Sequence, residues 1–255
     1  MKKIIITGAN LGIGFYMTKE LLNQRHKVAV LDIETDHLGA LQKEYPEKLY
    51  FFRCDISKED EVNTGVRFAL QDLGGFDYAI HNACKCTFES FEKSTAETFH
   101  HVLDVNYFGC IHFIKAVLPV MKEKNKGKIF IASSGVGVMG FVNISPYASG
   151  KGALESLAKC LNIEYKDSGI TFHILHPPLT KTKSSAPLPV PSEFMADPEK
   201  VGTGLAKKLK SNRFVICHSF GQKLQTQFMY LFPVSFGRFL SKMTEKAAKQ
   251  TKSSA

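Results

Sequence analysis

The sequence predicts an α/β fold: a single doubly wound parallel sheet with helices on both faces and a helical C-terminal extension. Three observations predict it. Short strand-like runs alternate along the chain with segments of helical spacing. Each run is brief and is followed by a helix, which implies a parallel sheet covered on both faces. The first run passes straight into a glycine-rich turn that opens a helix. A length of 255 residues suits one large domain, and 44% hydrophobic with 22% charged residues is ordinary globular composition.

In chain order, Lys2–Thr7 is a β-branched run bounded by Gly8, and Leu11–Gln24 carries helical spacing through Phe15, Leu21 and Leu22. Lys27–Leu31 is the next apolar run and ends at Asp32. Leu49–Arg53 follows, with Ser57 placed as a helix cap before Lys58-Glu59-Asp60-Glu61. Tyr78–His81, Lys128–Ala132 and Ile170–His176 complete the strand candidates, separated by helical stretches near 95–125 and 145–168. Pro177–Pro198 carries six prolines, at 177, 178, 187, 189, 191 and 198. It follows the last core strand directly and reads as a substrate lid near 178–198 rather than a domain linker. The chain thus divides into a main domain over 1–218 and a basic amphipathic extension over 219–255.

The start, Met1-Lys2-Lys3-Ile4-Ile5-Ile6, resembles a signal peptide, but its apolar stretch stops at Thr7-Gly8, too early for an h-region. No uncharged apolar run approaches the roughly 18–20 residues that span a bilayer. The expectation is a cytoplasmic protein. Its six cysteines (Cys54, Cys84, Cys86, Cys110, Cys160, Cys217) are then reduced thiols. Only Cys84-Lys85-Cys86 is close-spaced and no second pair completes a zinc site, so no metal is expected. The net charge of +9 is unevenly placed. Residues 1–200 hold 23 basic and 23 acidic residues, whereas 201–255 hold 10 basic residues and one acid, Glu245. A neutral body with a basic end is not the pattern of a nucleic-acid binder.

The first turn reads Thr7-Gly8-Ala9-Asn10-Leu11-Gly12-Ile13-Gly14. Gly8 permits the tight turn, Gly12 lets backbone approach a pyrophosphate, and Gly14 lets helix and strand pack closely. The helix start supplies unpaired N–H groups and a positive dipole end. Asp32, ending the second strand, can accept hydrogen bonds from the adenosine ribose hydroxyls and would repel a 2′-phosphate. Leu11 and Ile33 stand where a phosphate-preferring site would want Arg or Lys, so the sequence points to NAD(H) rather than NADP(H).

Tyr147-Ala148-Ser149-Gly150-Lys151 places a phenol and an ammonium one helical turn apart on one face. A phenol with pKa near 10 is a poor acid or base at neutral pH unless a cation stabilises its phenolate, and Lys151 can supply that charge. Ser134, thirteen residues upstream and just after a strand, can hydrogen-bond a substrate carbonyl or alcohol oxygen.

With these residues in order, the chain resembles the short-chain dehydrogenase/reductase family over roughly residues 2–182. The motifs run Thr7–Gly14, Asp32, Asp55, Asn82-Ala83, Asn106, Ser134, Tyr147 and Lys151, then Pro177 with Thr182. The resemblance implies a Rossmann-like sheet of about seven strands and a homodimer or homotetramer packed through the helices near 98–125 and 147–168. It implies catalytic roles for Asn106, Ser134, Tyr147 and Lys151, with Asn106 anchoring a water in a proton relay through Lys151. Cofactor contacts would come from Gly8, Asn10, Leu11, Gly12, Ile13, Gly14, Asp32, Asp55, Ile56, Asn82, Ala83, Tyr147, Lys151, Pro177 and Thr182. Among these, Asp55 would contact adenine, Asn82 would hold the central strand's geometry and Thr182 would reach the nicotinamide carboxamide. Two positions depart from the family pattern: Cys84 and Pro178 stand where glycine is usual.

Beyond the core, Phe220, Leu224, Phe228, Leu231 and Phe232 recur at helical spacing, followed by Pro233 and then Val234, Phe236, Phe239 and Leu240. Lys223, Arg238, Lys242, Lys246, Lys249 and Lys252 surround them. Two readings stay open: a packed helix that closes the pocket or a subunit interface, and a peripheral contact with an anionic membrane. With the lid residues Leu188, Val190, Phe194 and Met195, either reading favours an apolar, steroid- or lipid-like alcohol or ketone as the small-molecule substrate. The rivals to such an oxidoreductase are a dinucleotide-binding sensor or scaffold without turnover and a membrane-surface adaptor.

Overall fold

Seven parallel strands form one sheet in the order β3-β2-β1-β4-β5-β6-β7. They are β1 Lys3–Thr7, β2 Lys27–Asp32, β3 Leu49–Arg53, β4 Tyr78–His81, β5 Gly127–Ala132, β6 Ile170–His176 and β7 Val215–Cys217. The computed structural model describes residues 1–188 and 190–253, leaving aside the side chains of 247–253. Pro189 of the lid and the side chains of Lys249 and Lys252 therefore lie outside the described residues. The first six strands match the sequence expectation to within a residue at each end. The seventh, only three residues long, had no signal in the sequence beyond the family resemblance.

The sheet is built on period-two burial. Ile5 faces Val66, Phe113 and Leu154, which belong to α3 (Glu59–Leu73), α5 (Gly109–Glu123) and α7 (Ser145–Glu164). Ile4 and Ile6 face the other way, towards Met17, Leu38 and Val201. These come from α1 (Gly12–Asn23), α2 (Asp36–Glu44) and α8 (Pro198–Ala206). Each face is thus a separate apolar core, and the strands are buried on both sides, as the unbroken apolar runs require.

β1 pairs with β2 on one side and with β4 on the other. The chain winds outward in opposite directions from that junction, so a cleft opens beyond the carboxyl ends of β1 and β4, where ligands bind in open α/β sheets. The residues singled out by sequence after β1, β2, β3, β4, β5 and β6 all lie at that one edge.

Helix α4 (Ala96–Leu103) runs through a π turn, Asp104–Phe108, into α5. The combined helix, Ala96–Glu123, is long and apolar enough to cross a membrane by length and composition. Val102, Cys110, Phe113, Val117 and Met121 are buried, however, which makes it a sheet-covering helix. The proline-rich segment closes on itself: the Lys181 N–H donates to the Ala196 carbonyl (2.9 Å) and the Ala196 N–H to that of Leu179 (2.8 Å). After β7, Ser219 caps α9 (Phe220–Leu231) by accepting the Gln222 N–H. Pro233 then opens α10 (Pro233–Ser253), at a position where a missing N–H costs nothing.

Candidate active site

The turn after β1 forms a cradle of bare backbone. Gly8 and Gly12 take φ of +69° and +61°, a region that disfavours any side chain. A Cβ on Gly8 would lie 2.4 Å from the Ala83 Cα, and one on Gly14 would lie 2.2 Å from the Gly8 carbonyl oxygen. The strand ends and α1 are therefore packed as closely as glycine allows. Leu11, the residue before α1, provides no side-chain cap. The amides of the first helical turn are left without a side-chain acceptor, which suits a pyrophosphate.

Asp32 Oδ2 accepts the Asn10 N–H at 2.7 Å, and Oδ1 accepts the Glu34 N–H at 3.2 Å. Burial pushes its carboxyl above the ordinary value, against those hydrogen bonds. The Asn10 side chain clamps the start of α2, donating to Asp36 and accepting the His37 N–H. Leu11 and Ile33 are exposed beside Asp32, and the nearby Lys183 is paired with Glu34 at 3.4 Å. Asp55 accepts from both the N–H and the hydroxyl of Ser57. Ile56 is buried, and a Cβ on Gly109 would approach it to 3.0 Å. Asn82 Nδ2 donates to the Gly8 carbonyl at 2.5 Å, tying the turn after β4 to the turn after β1. Thr182 lies over the cradle, its Cγ2 3.2 Å from where a Gly12 Cβ would be. Its hydroxyl accepts the Ser185 N–H in a reciprocal cap of the short helix Lys183–Ser185.

At the other end of the cleft, α7 carries Tyr147 and Lys151. Lys151 is fully buried; its ammonium donates to the Ala132 carbonyl at 2.7 Å and lies 5.6 Å from the Tyr147 ring centre. Ser134 follows β5, near enough to the Tyr147 phenol to favour its ionised form. Burial pushes the Tyr147 phenol well above its ordinary value; the Cys86 and Cys84 sulfurs add to this, and Ser134 opposes it. Asn106 is buried in the π turn, a distortion frequent at functional sites. Its side chain accepts the Lys85 N–H (2.7 Å) and donates to the Lys85 carbonyl (2.9 Å), fixing the loop after β4. The structure thus brings Asn106, Ser134, Tyr147 and Lys151 together.

Sequence reasoning missed two features here, and a third is the environment of a thiol pair it had noted only for its close spacing. His81, ending β4, is fully buried, and desolvation together with the Lys151 charge holds its pKa at about 3. Its Nδ1 meets the Thr7 hydroxyl at 3.2 Å, and its Nε2 has no partner among the described residues. Behind Lys151, one turn along α7, the buried Glu155 meets the buried His176 of β6 and the exposed Tyr230 of α9. His176 Nε2 donates to Glu155 Oε1 at 2.8 Å and the Tyr230 hydroxyl to Oε2 at 2.6 Å.

The third feature is the thiol pair. The Cys84 thiol is pulled down, its neighbour Cys86 and the Lys151 charge acting against burial. Burial pushes the Cys54 and Cys110 thiols up to about 12. Cys84 is half-buried whereas Cys54 and Cys110 are buried, so iodoacetamide at pH 7 is expected to alkylate Cys84 before either of them. Mass-spectrometric mapping of a time course checks this, and equal labelling of the three would contradict it.

Residues 2–190 match the short chain dehydrogenase family. The chain is 25% identical over 229 residues to the 3-ketodihydrosphingosine reductase of Bos taurus, covering 83% of this chain and 69% of that one. Among solved structures, a short-chain dehydrogenase from Streptomyces avermitilis superposes with a TM-score of 0.80 at 21% identity, covering 98% of this chain and 99% of that one. The 3-ketoacyl-(acyl-carrier-protein) reductase from Brucella melitensis, complexed with NADH, gives 0.76 at 24% identity, covering 83% and 91%. Family match, sheet order and the meeting of Ser134, Tyr147 and Lys151 beside a glycine cradle have one common explanation: the chain belongs to the short-chain dehydrogenase/reductase family of oxidoreductases.

Proposed function

We propose that the protein interconverts a secondary alcohol and a ketone on an apolar substrate, with NAD(H) as the redox partner. The observation that carries this reading is the fully buried Lys151 ammonium 5.6 Å from the Tyr147 ring. When bound, the dinucleotide supplies a hydride donor or acceptor at nicotinamide C4. The glycine cradle, Asp32 and the Asn82-Ala83 turn fit its adenosine and pyrophosphate parts. Tyr147 holds the transferable proton, giving it to a carbonyl oxygen in reduction and taking it from a hydroxyl in oxidation. Ser134 orients that oxygen. Lys151 stabilises the phenolate that burial alone disfavours. Because the phenol is pushed up in the free chain, the protonated form dominates at neutral pH, and the proposal favours reduction there. Alcohol oxidation is expected to accelerate as pH rises.

NAD(H) is the preferred partner in this reading because Asp32 would repel a 2′-phosphate and Leu11 and Ile33 would offer it no cation. Asp32→Ala combined with Leu11→Arg is expected to shift kcat/KM towards NADP(H) by at least about tenfold, the cost of one like-charge contact relieved. Steady-state kinetics in which the unaltered protein already prefers NADP(H) would refute the preference.

An apolar substrate is supported by Leu188, Val190, Phe194 and Met195 in the lid, and by Met229 packed against Gly135, next to Ser134. The Bos taurus relative is named 3-ketodihydrosphingosine reductase, which agrees with this reading. Six free thiols suit a reducing compartment, and we place the enzyme in the cytoplasm. A cofactor-oxidation screen with NADH and NADPH across steroid, retinoid, acyl and sugar ketones tests the proposal. Turnover confined to sugars would overturn the substrate class.

A further inference from the structure

Helix α9 is turned inside out. It buries Gln222, Thr226 and Met229 against the protein, whereas Phe220 (71%), Leu224 (43%), Phe228 (53%) and Leu231 (69%) face outward. Phe232 (58%) continues this face across the break before α10. In α10, Gly237 and Ser241 face the body, and Val234, Phe239 and Met243 are exposed. A helix of a water-facing surface normally presents the opposite arrangement. A contiguous apolar patch of this kind marks an interaction surface.

Charge selects the partner. The last 55 residues hold ten cations and one acid, and Arg238, Lys242 and Lys246 alternate with the exposed apolar residues of α10. A symmetric second copy would bring the same cations face to face with only Glu245 to offset them. An anionic bilayer complements them instead: ammonium and guanidinium heads stay at the phosphates while their stems and the aromatic rings lie among the acyl chains. We propose that the α9–α10 face is a docking surface for anionic lipid membranes.

The same face borders the substrate side of the cleft. A Cβ on Gly135 would lie 2.7 Å from the Met229 sulfur, and one on Gly237 would lie 2.7 Å from the Met139 carbonyl oxygen. The Val142 N–H meets the Ser241 hydroxyl at 3.4 Å. Helices α9 and α10 therefore pack on the segment that follows Ser134, and docking sets the pocket mouth at the lipid surface. The docking itself does not rest on the proposed reaction, because it is read without turnover.

The test is flotation of the full chain with phosphatidylserine-rich vesicles, against phosphatidylcholine-only vesicles, at low and high salt. The expected result is flotation with the anionic vesicles at low salt and at least about tenfold weaker binding near molar salt, where the Debye length shrinks to about 3 Å. Phe228→Ser with Leu231→Ser, and separately Lys242→Glu with Lys246→Glu, should abolish flotation. Both pairs are exposed, so dinucleotide binding should be retained and report intact folding. Failure of the unaltered chain to float at low salt would overturn the proposal. So would a sedimenting dimer that the Phe228→Ser, Leu231→Ser pair converts to monomer without any vesicle binding, since the face would then serve a second copy.

Discussion

Tyr147→Phe is expected to lower turnover in both directions by about 10²–10⁴-fold, the usual range for loss of a positioned acid or base. Dinucleotide affinity should be unchanged, because the ring remains over the buried Lys151 and only the hydroxyl at Ser134 is lost. The pH profile adds a second readout. Burial and the two sulfurs raise the phenol, so the unaltered enzyme should oxidise alcohols faster as pH rises towards that value. The residual activity of the variant should lose that dependence. Near-normal turnover in Tyr147→Phe would remove the phenol from the chemistry.

The second large effect is structural. Glu155→Ala is expected to destabilise the fold by about 3–5 kcal/mol, the cost of removing one member of a buried polar cluster and stranding the others. His176 would lose its acceptor at 2.8 Å and Tyr230 its acceptor at 2.6 Å, in a site where His176 Nδ1 already lacks a partner among the described residues. A thermal melt should show a fall of about 10 °C or more for a chain of this size. Glu155→Gln keeps an acceptor and should fall between the two. The pH sign follows from the carboxyl itself. Burial raises Glu155, but the hydrogen bond and charge of His176 outweigh it and hold the group below its ordinary value. Its contribution is fully present above the ordinary glutamate range and is lost as pH falls through the lower folded value. The difference in melting temperature between the unaltered chain and Glu155→Ala should therefore shrink only in acid. An unchanged melt at neutral pH would show that the cluster contributes nothing.

What could be read before the structure was local. Six strands, the glycine cradle and the pairing of Tyr147 with Lys151 are set by periodicity and spacing within a few residues, where backbone sterics and helix geometry dominate. β7 was not legible because Val215–Cys217 is too short to carry a period, and it owes its strand state to pairing with β6. His81 looked like any strand residue. Its environment comes from Thr7 and Lys151, which are remote in sequence. The Glu155–His176–Tyr230 cluster joins positions 21 and 75 residues apart, beyond any local pattern. α9 is the instructive case: its helical spacing marked an apolar face, but not which face the protein would bury. Gln222 and Thr226 turned inward, Thr226 donating to the Gln222 carbonyl at 2.8 Å, so the phenylalanines stayed outside. Closure of the pocket by a packed helix required Phe228 and Phe232 to be buried within the chain, and they are exposed.

Transfer of a hydride to a substrate carbon is the step on which the whole account depends, and isotope labelling reads it directly. NADH deuterated at nicotinamide C4 would be incubated with the protein and an apolar ketone, and the product analysed by mass spectrometry. The account predicts that NADH with deuterium on the transferred face gives an alcohol carrying one deuterium at the carbinol carbon, formed at least about 10²-fold more slowly by Tyr147→Phe than by the unaltered chain. Consumption of NADH without deuterium in the product, or no product with any ketone of the panel, would contradict it.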